Sequence, residues 1–481
     1  MTIGVAELDT INPILSKNQN VQNISRLIYE PLVNLSTDYK PEQALAIEWA
    51  KQDATTYIIK LREGVKWSDG KDFTADDVKF TIDRLKDTSS IYSYNVQDVS
   101  GLEIVDKHTI QITLSKEVPF FEYYLTFPIM SKEYYGDDNF SDTDKNNSPV
   151  GTGKYKIAEV EGSYITLEKN KNWWNAKKIG LSLKKININL YSSVGELYNS
   201  FKTGSTDLIA TTNNSFSDYI GTIGYNLKET RGREHCFLAL NMSSQLMNDL
   251  QVRKAIAESI DKTNITAEIY GGKNYVANFP LEYGTYLYSG DHPVKEYNVE
   301  QAKQDLTDGG WAYQYGYWQK VVEGRTQKLT LSLVVKASNK TLVGIAENIK
   351  NQLEVQGIKI NIMYASDEQY QNYKKNKNYD MILCDIQLAI SPDLTTFFGE
   401  GNLANYKSDE INQTLDEIKN TNDQNELKEK FETLEEIYST EIPYISLTNS
   451  KYNILYNSNL IGDVVPNWYS LFYNVEGWYK N

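Results

Sequence analysis

The sequence is poor in the residues that build metal sites and disulfide frameworks. Among its 481 residues are two cysteines, Cys236 and Cys384, and three histidines, His108, His235 and His292. No Cys-x-x-Cys or His-x-x-x-His spacing occurs among them. Because such spacings let side chains converge on one ion, the sequence predicts no metal site, and we expect no cofactor.

Long apolar runs and strong basic clusters are also missing from the sequence. A membrane-spanning helix needs ~18–20 mostly apolar residues in a row, and no stretch approaches that length. The net charge is −15, and short lysine pairs such as Lys177-Lys178 and Lys374-Lys375 are typical of solvated faces. A nucleic-acid surface requires concentrated positive charge, so we expect no nucleic-acid partner.

Motifs of covalent and phosphate chemistry are absent as well. No Gly-x-Ser-x-Gly elbow occurs. The stretch Gly151–Lys154 is not a phosphate loop, because Ser148 replaces the first glycine of that motif and Tyr155 replaces its Ser or Thr. The 64 acidic residues leave a two-carboxylate glycoside hydrolase as a remote alternative. With no positive signal for catalysis, we expect a protein that is not an enzyme.

What the sequence does contain is typical of a large folded protein. A chain of 481 residues is too long for one ordinary core and indicates two or three lobes. Hydrophobic residues make up 40% and charged residues 23%, which is typical of a globular chain. The 36 tyrosines against 14 phenylalanines suit an aromatic-lined binding surface, and equally suit half-buried strand edges.

The stretch 61–81, LREGVKWSDGKDFTADDVKFT, is the most informative of the chain. The alternation over Val65–Trp67 predicts a strand, and Asp69-Gly70 predicts a tight turn with glycine in the left-handed position. Thr74 and Asp77 have the spacing of a capping box, after which apolar residues recur at helical spacing. The stretch therefore predicts a strand, a turn and a capped helix, which is a fold signature without chemistry.

From residue 236 onward, predicted strands and helices alternate. The strand CFLALNM precedes a helix over 249–261, and the strand LTLSLVV precedes a helix over 342–357 that Gly357 ends. After two more strands, two helices follow over 408–420 and 424–439. This alternation predicts an α/β lobe with a largely parallel sheet.

These motifs resemble those of the oligopeptide/dipeptide class of extracellular solute-binding proteins, solute-binding protein family 5. Besides 61–81, the segments PVGTGKY, VRKAIAESID, QLEVQGIKI and EIPYISL match the family in the same order along essentially the whole chain. The resemblance implies the binding subunit of an ABC importer, a monomer that captures an oligopeptide and delivers it to permease subunits in the membrane.

The fold implied by the resemblance is α/β, with the three-lobe, type II periplasmic-binding-protein architecture (Venus flytrap) and an inserted extra domain. Lobe I would comprise 1–42, 148–231 and 452–481, the inserted lobe II 43–147, and lobe III 232–451. The chain would cross between lobes I and III at a hinge near residues 231 and 451. Ligand would be enclosed in the cleft as the lobes close.

The resemblance also bears on ligand class and location. The same fold serves oligosaccharides, nickel chelates and haem; nickel or haem capture normally needs a histidine near the cleft, and His235 is the candidate. Oligosaccharide capture would use Trp and Tyr faces, and peptide is the leading class. Because the chain opens on a predicted strand and turn in a secreted family, we expect an export segment with its lipid anchor to have been removed. The expected location is the extracellular face of the cytoplasmic membrane or the periplasm.

The resemblance places several ligand contacts in lobes I and II. Glu7 and Leu8, at the end of the first strand, would present backbone to the ligand. Tyr92, and after it Tyr94, would project towards the peptide from the second lobe, unless they pack on their own lobe. Trp468-Tyr469 would form an aromatic wall, with lobe I core as the alternative.

In lobe III, the resemblance implies an aspartate that neutralises the peptide amine. Asp385 and Asp393 are the candidates, although the family's usual Asp-x-x-Asp-Pro loop is replaced by ISPD at 390–393, and Asp393 could instead cap a helix after Pro392. Asn241 would bind ligand or hinge backbone, or be a satisfied structural asparagine. Cys236 and Cys384, on strands expected to share a lobe, leave two alternatives, a disulfide or two buried thiols.

Overall fold

The computed structural model describes residues 1–136, 139–211, 224–292, 294–421 and 423–481. Contacts between residues divide the chain into two compact units: unit 1 is Met1–Thr230 with Tyr452–Asn481, and unit 2 is Arg231–Lys451. Apart from Arg231, lobes I and II of the sequence prediction fall within unit 1, and the three-lobe boundaries stay a prediction.

The β-strands of the described residues run from one end of the chain to the other. In chain order they are β1 (Thr2–Val5), β2 (Val33–Leu35), β3 (Pro41–Gln43), β4 (Ala46–Lys51), β5 (Thr56–Leu61), β6 (Val99–Asp106), β7 (Thr109–Leu114), β8 (Tyr155–Glu161), β9 (Tyr164–Lys169), β10 (Lys185–Leu190), β11 (Leu208–Thr211), β12 (Tyr225–Leu240), β13 (Tyr275–Val276), β14 (Ala312–Gln314), β15 (Tyr317–Val322), β16 (Arg325–Lys328), β17 (Thr330–Lys336), β18 (Lys359–Ala365), β19 (Met381–Gln387), β20 (Tyr444–Asn457), β21 (Leu460–Ile461) and β22 (Tyr479–Lys480).

The α-helices of the described residues lie between these strands, with two short 3-10 helices at Asp144–Asn147 and Val475–Gly477 in addition. The α-helices are α1 (Gln19–Ile28), α2 (Ala75–Asp87), α3 (Ser93–Val96), α4 (Phe121–Tyr124), α5 (Lys132–Tyr135), α6 (Val194–Lys202), α7 (Leu250–Ser259), α8 (Lys262–Tyr270), α9 (Val299–Asp308), α10 (Lys340–Val355), α11 (Asp367–Asn376), α12 (Thr395–Phe398), α13 (Asp409–Asn420) and α14 (Gln424–Glu441). Within the described ranges, no helix has both the length and the apolarity that crossing a membrane requires.

Besides the two-stranded sheets β2-β3 and β21-β22, unit 1 contains two sheets. In the larger one, β8, β9, β10, β1 and β11 lie side by side in that order. β1 is parallel to both of its neighbours, whereas β8, β9 and β10 are antiparallel to one another. The second sheet, β4-β5-β7-β6, is antiparallel throughout. Alternate residues such as Ile59, Ile110 and Ile112 of this sheet are fully buried, as expected for a sheet with one face on a core.

In the stretch 61–81, the structure confirms the predicted turn and helix but not the predicted strand. Helix α2 begins after Thr74 with a capping box in which the Asp77 side chain accepts from the Thr74 backbone, and Gly70 has a φ of +94°. Over Val65–Trp67, only one isolated bridge forms, between Lys66 and Asp72. The strand prediction is wrong because the chain reverses within a few residues, which leaves no room for a ladder.

Unit 2 contains a sheet with the order β18-β17-β19-β12. Its first three strands are parallel, and β12 is antiparallel to β19, so the sheet is mixed rather than purely parallel. Helices α7 and α10 place Ile256, Ile345 and Ile349 in the core that covers one face of this sheet. The alternation predicted from the sequence is confirmed, and the fold class is α/β.

The two cysteines are free thiols in the structure, and both are buried. In the β12–β19 pair, Cys236 lies opposite Asp385, and Cys384 lies opposite Phe237. Since neighbours along a strand point to opposite faces of the sheet, the two thiols lie on opposite faces. The disulfide alternative is therefore corrected to two buried thiols, and the Cys384 sulfur instead accepts a hydrogen bond from the Tyr370 hydroxyl at 3.0 Å.

Candidate functional site

A cavity of about 500 Å³ opens in unit 1 where β1 and β10 end. It is lined by Ala6, Glu7, Leu8, Asp9, Asn18, Ser163, Leu190, Tyr191 and Ser192. The carboxyl ends of parallel strands are the edge at which α/β sheets bind ligands. The structure therefore brings the predicted residues Glu7, which is exposed, and Leu8, which is half-buried, to the edge where ligand binding is expected.

Tyr191 belongs to this cavity, and sequence reasoning missed it. Its amide donates to the Val5 carbonyl at 2.9 Å, and its hydroxyl lies 2.8 Å from the Thr206 hydroxyl. Desolvation alone would raise the pKa of Tyr191, but hydrogen bonds to Ser200, Thr206 and Asn189 outweigh it and lower the pKa. The sequence signal that could have identified Tyr191 is its position directly after the segment that forms β10, which is parallel to β1.

Tyr92 and Tyr94 have different environments although they lie in one short segment. The Tyr92 hydroxyl donates to Gln22 Oε1 of α1 at 2.6 Å, and burial raises the pKa of Tyr92 to about 12, against the opposing effect of the Arg26 charge. Tyr94 is 57% exposed, and its ring centroid lies 5.9 Å from that of Tyr124. Tyr92 is thus fixed to unit 1, whereas Tyr94 is accessible.

Of the terminal aromatic pair, Tyr469 packs against α1, whereas Trp468 stacks on another aromatic ring. The Arg26 guanidinium carbon lies 3.6 Å from the ring centroid of Tyr469, which is 2% exposed. Trp468 is half-buried and stacks on Tyr39 with a centroid distance of 6.2 Å. One helix face, with Gln22 and Arg26 one turn apart, therefore contacts both Tyr92 and Tyr469.

The two predicted acids of unit 2 differ in how the fold uses them. Asp385 lies on β19, is exposed, and accepts one hydrogen bond from Asn339 Nδ2 at 3.0 Å. Asp393 accepts from the amide of Thr395 at 2.9 Å and from its hydroxyl at 2.5 Å. The Asp393 carboxylate therefore folds back on the first residue of α12, although Leu394 and not Asp393 is the N-cap of that helix, and Asp385 is the more available acid.

Asn241 has the bonding pattern of a structural asparagine. It is 4% exposed, and its Nδ2 donates to the carbonyls of Lys377 and Tyr379, each at 2.8 Å. Its Oδ1 accepts from the Ser243 amide and from Asn405 Nδ2, each at 3.2 Å. Because both donors and both acceptor positions are used, the side chain has no free group to offer.

His235 is fully buried in unit 2. Its Nε2 lies 3.2 Å from the Ser446 hydroxyl, and its Nδ1 lies 3.3 Å from Asn449 Nδ2. Burial lowers the pKa of His235 to about 3, so the ring is neutral at physiological pH. Both ring nitrogens thus have protein partners, which disfavours the metal-binding or haem-binding role that the sequence left open for this residue.

Comparison with known proteins places this fold in a family. The family "Bacterial extracellular solute-binding proteins, family 5 Middle" matches residues 39–405. The chain is 24% identical to the oligopeptide-binding protein AppA of Bacillus subtilis, over 99% of this chain and 90% of AppA. It is 25% identical to heme-binding protein A of Haemophilus influenzae, over 89% of this chain and 82% of that protein.

Solved structures agree with the sequence matches. The structure of HbpA2 from Haemophilus parasuis superposes with a TM-score of 0.82 at 21% identity, covering 100% of this chain and 99% of that one. The mixed α/β fold is thus shared along the whole length, and the family match spans well over half of the chain. The resemblance drawn from the motifs is confirmed: the chain belongs to the bacterial extracellular solute-binding proteins of family 5.

Proposed function

We propose that this protein captures oligopeptides and delivers them to the permease subunits of an ABC importer. The observation that carries the proposal is the cavity at the end of β1, bordered by Glu7 and Leu8. The full-length similarity to AppA, which is named an oligopeptide-binding protein, supports peptide as the ligand class. The protein would act as a monomer outside the cytoplasmic membrane, closing about the chain crossings near 231 and 451.

A peptide is a suitable ligand for the sheet edge at the end of β1 because of its main-chain groups. Main-chain groups are common to all peptides. A site that forms hydrogen bonds with the peptide backbone, as a neighbouring β-strand would, can therefore bind many sequences. Side chains of such a ligand can be held through water, which keeps specificity broad. Glu7 and Leu8 would supply backbone contacts, and the exposed ring of Tyr94 would offer apolar area at low entropic cost.

The peptide amine requires a negative partner, and Asp385 is our choice. Its carboxylate is exposed and accepts one hydrogen bond, from Asn339, which leaves capacity for a second donor. The Asp393 carboxylate already accepts two hydrogen bonds from Thr395. An ammonium–carboxylate bond at Asp385 would anchor the first residue of the ligand.

Haem is the second candidate ligand, because heme-binding protein A is similar over 89% of this chain. The buried, hydrogen-bonded His235 argues against it, since an axial ligand must reach the haem iron with a free ring nitrogen. Peptide is therefore the ligand that the side chains favour.

The test is native mass spectrometry of the purified protein, before and after mild unfolding and refolding. We expect a heterogeneous set of released peptides, whose shared length would measure the site, and restored binding when a defined peptide mixture is added to the refolded protein. Absorbance near the haem Soret band serves as the parallel measurement. A single non-peptide species, a haem spectrum, or no binding from the peptide mixture would overturn the proposal.

A further inference from the structure

A second cavity in unit 1, of about 440 Å³, is lined by lysines. We call it the lysine cavity; its basic residues are Lys156, Lys169, Lys171, Lys184 and Lys185, and its acidic residue is Glu168. It shares no residue with the cavity at the end of β1. In a chain of net charge −15, five ammonium groups around one cavity are unexpected.

The sheet explains how these charges are brought together. Glu168 on β9 is directly opposite Lys156 on β8 and Lys185 on β10, so the three side chains lie on one face. Lys156 and Glu168 form an ion pair at 3.1 Å. The segment 168–185 holds six lysines and one acid, but only the strand pairing shows that most of them surround one space.

The charges of the other four lysines are not neutralised by ion pairs with described residues. Among the described residues, Lys169, Lys171, Lys184 and Lys185 form no ion pair, and the last three are exposed. Glu168 is the one acid among the five lysines of the lining, so their like charges are only partly compensated and repel one another. An anion in the cavity would relieve that repulsion and gain charge-assisted hydrogen bonds.

The walls of the cavity are fixed by hydrogen bonds. Asn170 is buried and donates through Nδ2 to the Gly153 carbonyl at 2.8 Å. Asn172 donates through Nδ2 to the carbonyls of Trp67 and Ser68, each at 3.3 Å. The Asn170 bond ties the loop after β9 to Gly153, and the Asn172 bonds tie it to the turn at 67–70, so the lysine stems emerge from ordered backbone.

We propose that the lysine cavity binds a phosphate-bearing anion. A phosphate group carries up to two negative charges and several acceptor oxygens, so it can accept from several ammonium groups at once, which a single carboxylate does less well. Lysine binds phosphate as a point charge and does not need a fixed planar geometry. The same chemistry is offered by free phosphate and by an anionic lipid headgroup, and the experiment separates the two sources.

The test compares two double variants that remove the same charge. The cavity variant, Lys169→Gln with Lys184→Gln, removes two positive charges from the lining. The control variant, Lys177→Gln with Lys178→Gln, removes two positive charges from exposed lysines of the same segment that lie outside the cavity. Calorimetric titration with inorganic phosphate and pyrophosphate measures the free anion. Sedimentation with phosphatidylglycerol vesicles, against phosphatidylcholine vesicles, measures the headgroup, and thermal melting checks that both variants are folded.

We expect the cavity variant to bind the anion at least about tenfold more weakly, because it removes two of the ammonium groups that would donate charge-assisted hydrogen bonds to the anion. The control variant should stay within about twofold of the wild type. Binding of phosphate or pyrophosphate identifies a free anion as the source, and binding of phosphatidylglycerol vesicles alone identifies the headgroup. The proposal would be overturned if phosphate, pyrophosphate and phosphatidylglycerol vesicles all failed to bind, or if both variants lost the same amount of anion affinity. Peptide binding does not enter this readout, so the two proposals fail separately.

Discussion

The two units treat their candidate binding residues differently. In unit 1, Tyr92 and Tyr469 are held by α1, through Gln22 and Arg26, and Tyr94 stays exposed beside them. In unit 2, Asn241 and His235 are buried with their polar atoms already bonded within the protein, and Asp385 is the exposed group. Unit 1 therefore arranges a partly accessible aromatic surface, whereas unit 2 uses most of its polar candidates for its own fold.

The difference shows how a polar residue should be judged in a chain of this kind. A buried amide with all of its hydrogen bonds made within the protein stabilises the fold, and a ligand could only compete with those bonds. A side chain that is exposed and partly bonded, such as Asp385, still has capacity for a ligand. Residue type alone does not separate the two cases.

The largest effect should follow from Asn241→Ala. The substitution leaves the carbonyls of Lys377 and Tyr379 without their donor in a buried site. Each unsatisfied buried group costs ~1–3 kcal/mol, so we expect the free energy of unfolding to fall by about 2–4 kcal/mol in urea denaturation. Peptide affinity of the folded protein should be unchanged.

Asn412→Ala is the matched control, because Asn412 is exposed on α13. The same substitution there should change the free energy of unfolding by less than ~0.5 kcal/mol. If Asn241→Ala instead keeps full stability and loses peptide binding, Asn241 is a ligand contact, and the contrast between the units fails at this residue.

A buried acid pair in unit 2 should make stability depend on pH. Glu258 on α7 is 2% exposed, and Asp305 on α9 is 6% exposed. Desolvation, together with Asp305, raises the pKa of Glu258 from its ordinary value of 4.5 to about 7, against the opposing effect of Lys295, whose Nζ lies 3.4 Å away. Between pH 4.5 and about 7 the folded state binds more protons than the unfolded state, so stability should fall as pH rises through this window.

Thermal melting across pH 4 to 8 checks this expectation with two variants. Glu258→Gln should flatten the decline between pH 4.5 and about 7, because an amide does not titrate. Glu300→Gln, on the same helix as Asp305 but 84% exposed at its side chain, should leave the decline as in the wild type. An identical pH profile for wild type and Glu258→Gln would show that the pKa of Glu258 is not raised in the folded protein.

Local interactions made much of the fold predictable from the sequence. The capping box of Thr74 and Asp77 lies within four residues, and helix α10 ends before Gly357, whose φ is +82°. Strand identity near a tight turn was less predictable, because Val65–Trp67 needed a ladder partner that the reversal of the chain excludes. Elements that depend on neighbouring residues can be predicted from the sequence, whereas a strand that depends on a distant ladder partner cannot.

The candidate site was less predictable because its partners are distant in sequence. Tyr92 contacts Gln22 across 70 positions, and Arg26 contacts Tyr469, which lies near the other end of the chain. The scattered lysines gather around one cavity only after β8, β9 and β10 have paired. Whether Cys236 and Cys384 form a disulfide likewise depends on the register of β12 against β19, which the amino-acid composition does not determine.

Ligand binding should separate the two acids of unit 2. Asp385→Asn should weaken binding of free-amine peptides about tenfold, because it removes a charged hydrogen bond of ~1.5–3 kcal/mol, and should affect acetylated peptides little. Asp393→Asn should cause a smaller loss, since the Asp393 carboxylate bonds to Thr395. Calorimetry with matched free and acetylated peptides measures both. Equal losses for the two peptide forms would remove the amine anchor from Asp385, and a larger selective loss in Asp393→Asn would assign it to Asp393.

The smallest effect should distinguish the two tyrosines of unit 1. Tyr92→Phe removes the hydroxyl that donates to Gln22 at 2.6 Å and should lower the free energy of unfolding by ~1 kcal/mol. Tyr94→Phe removes a hydroxyl from a ring that is 57% exposed and should be nearly neutral in the same urea denaturation. Peptide affinity should respond in the opposite order, with Tyr94→Ala weakening binding and Tyr92→Phe leaving it intact, because only an accessible ring can contact a ligand. If Tyr92→Phe weakens binding without loss of stability, Tyr92 belongs to the ligand surface, and the α1 contact is not what positions it.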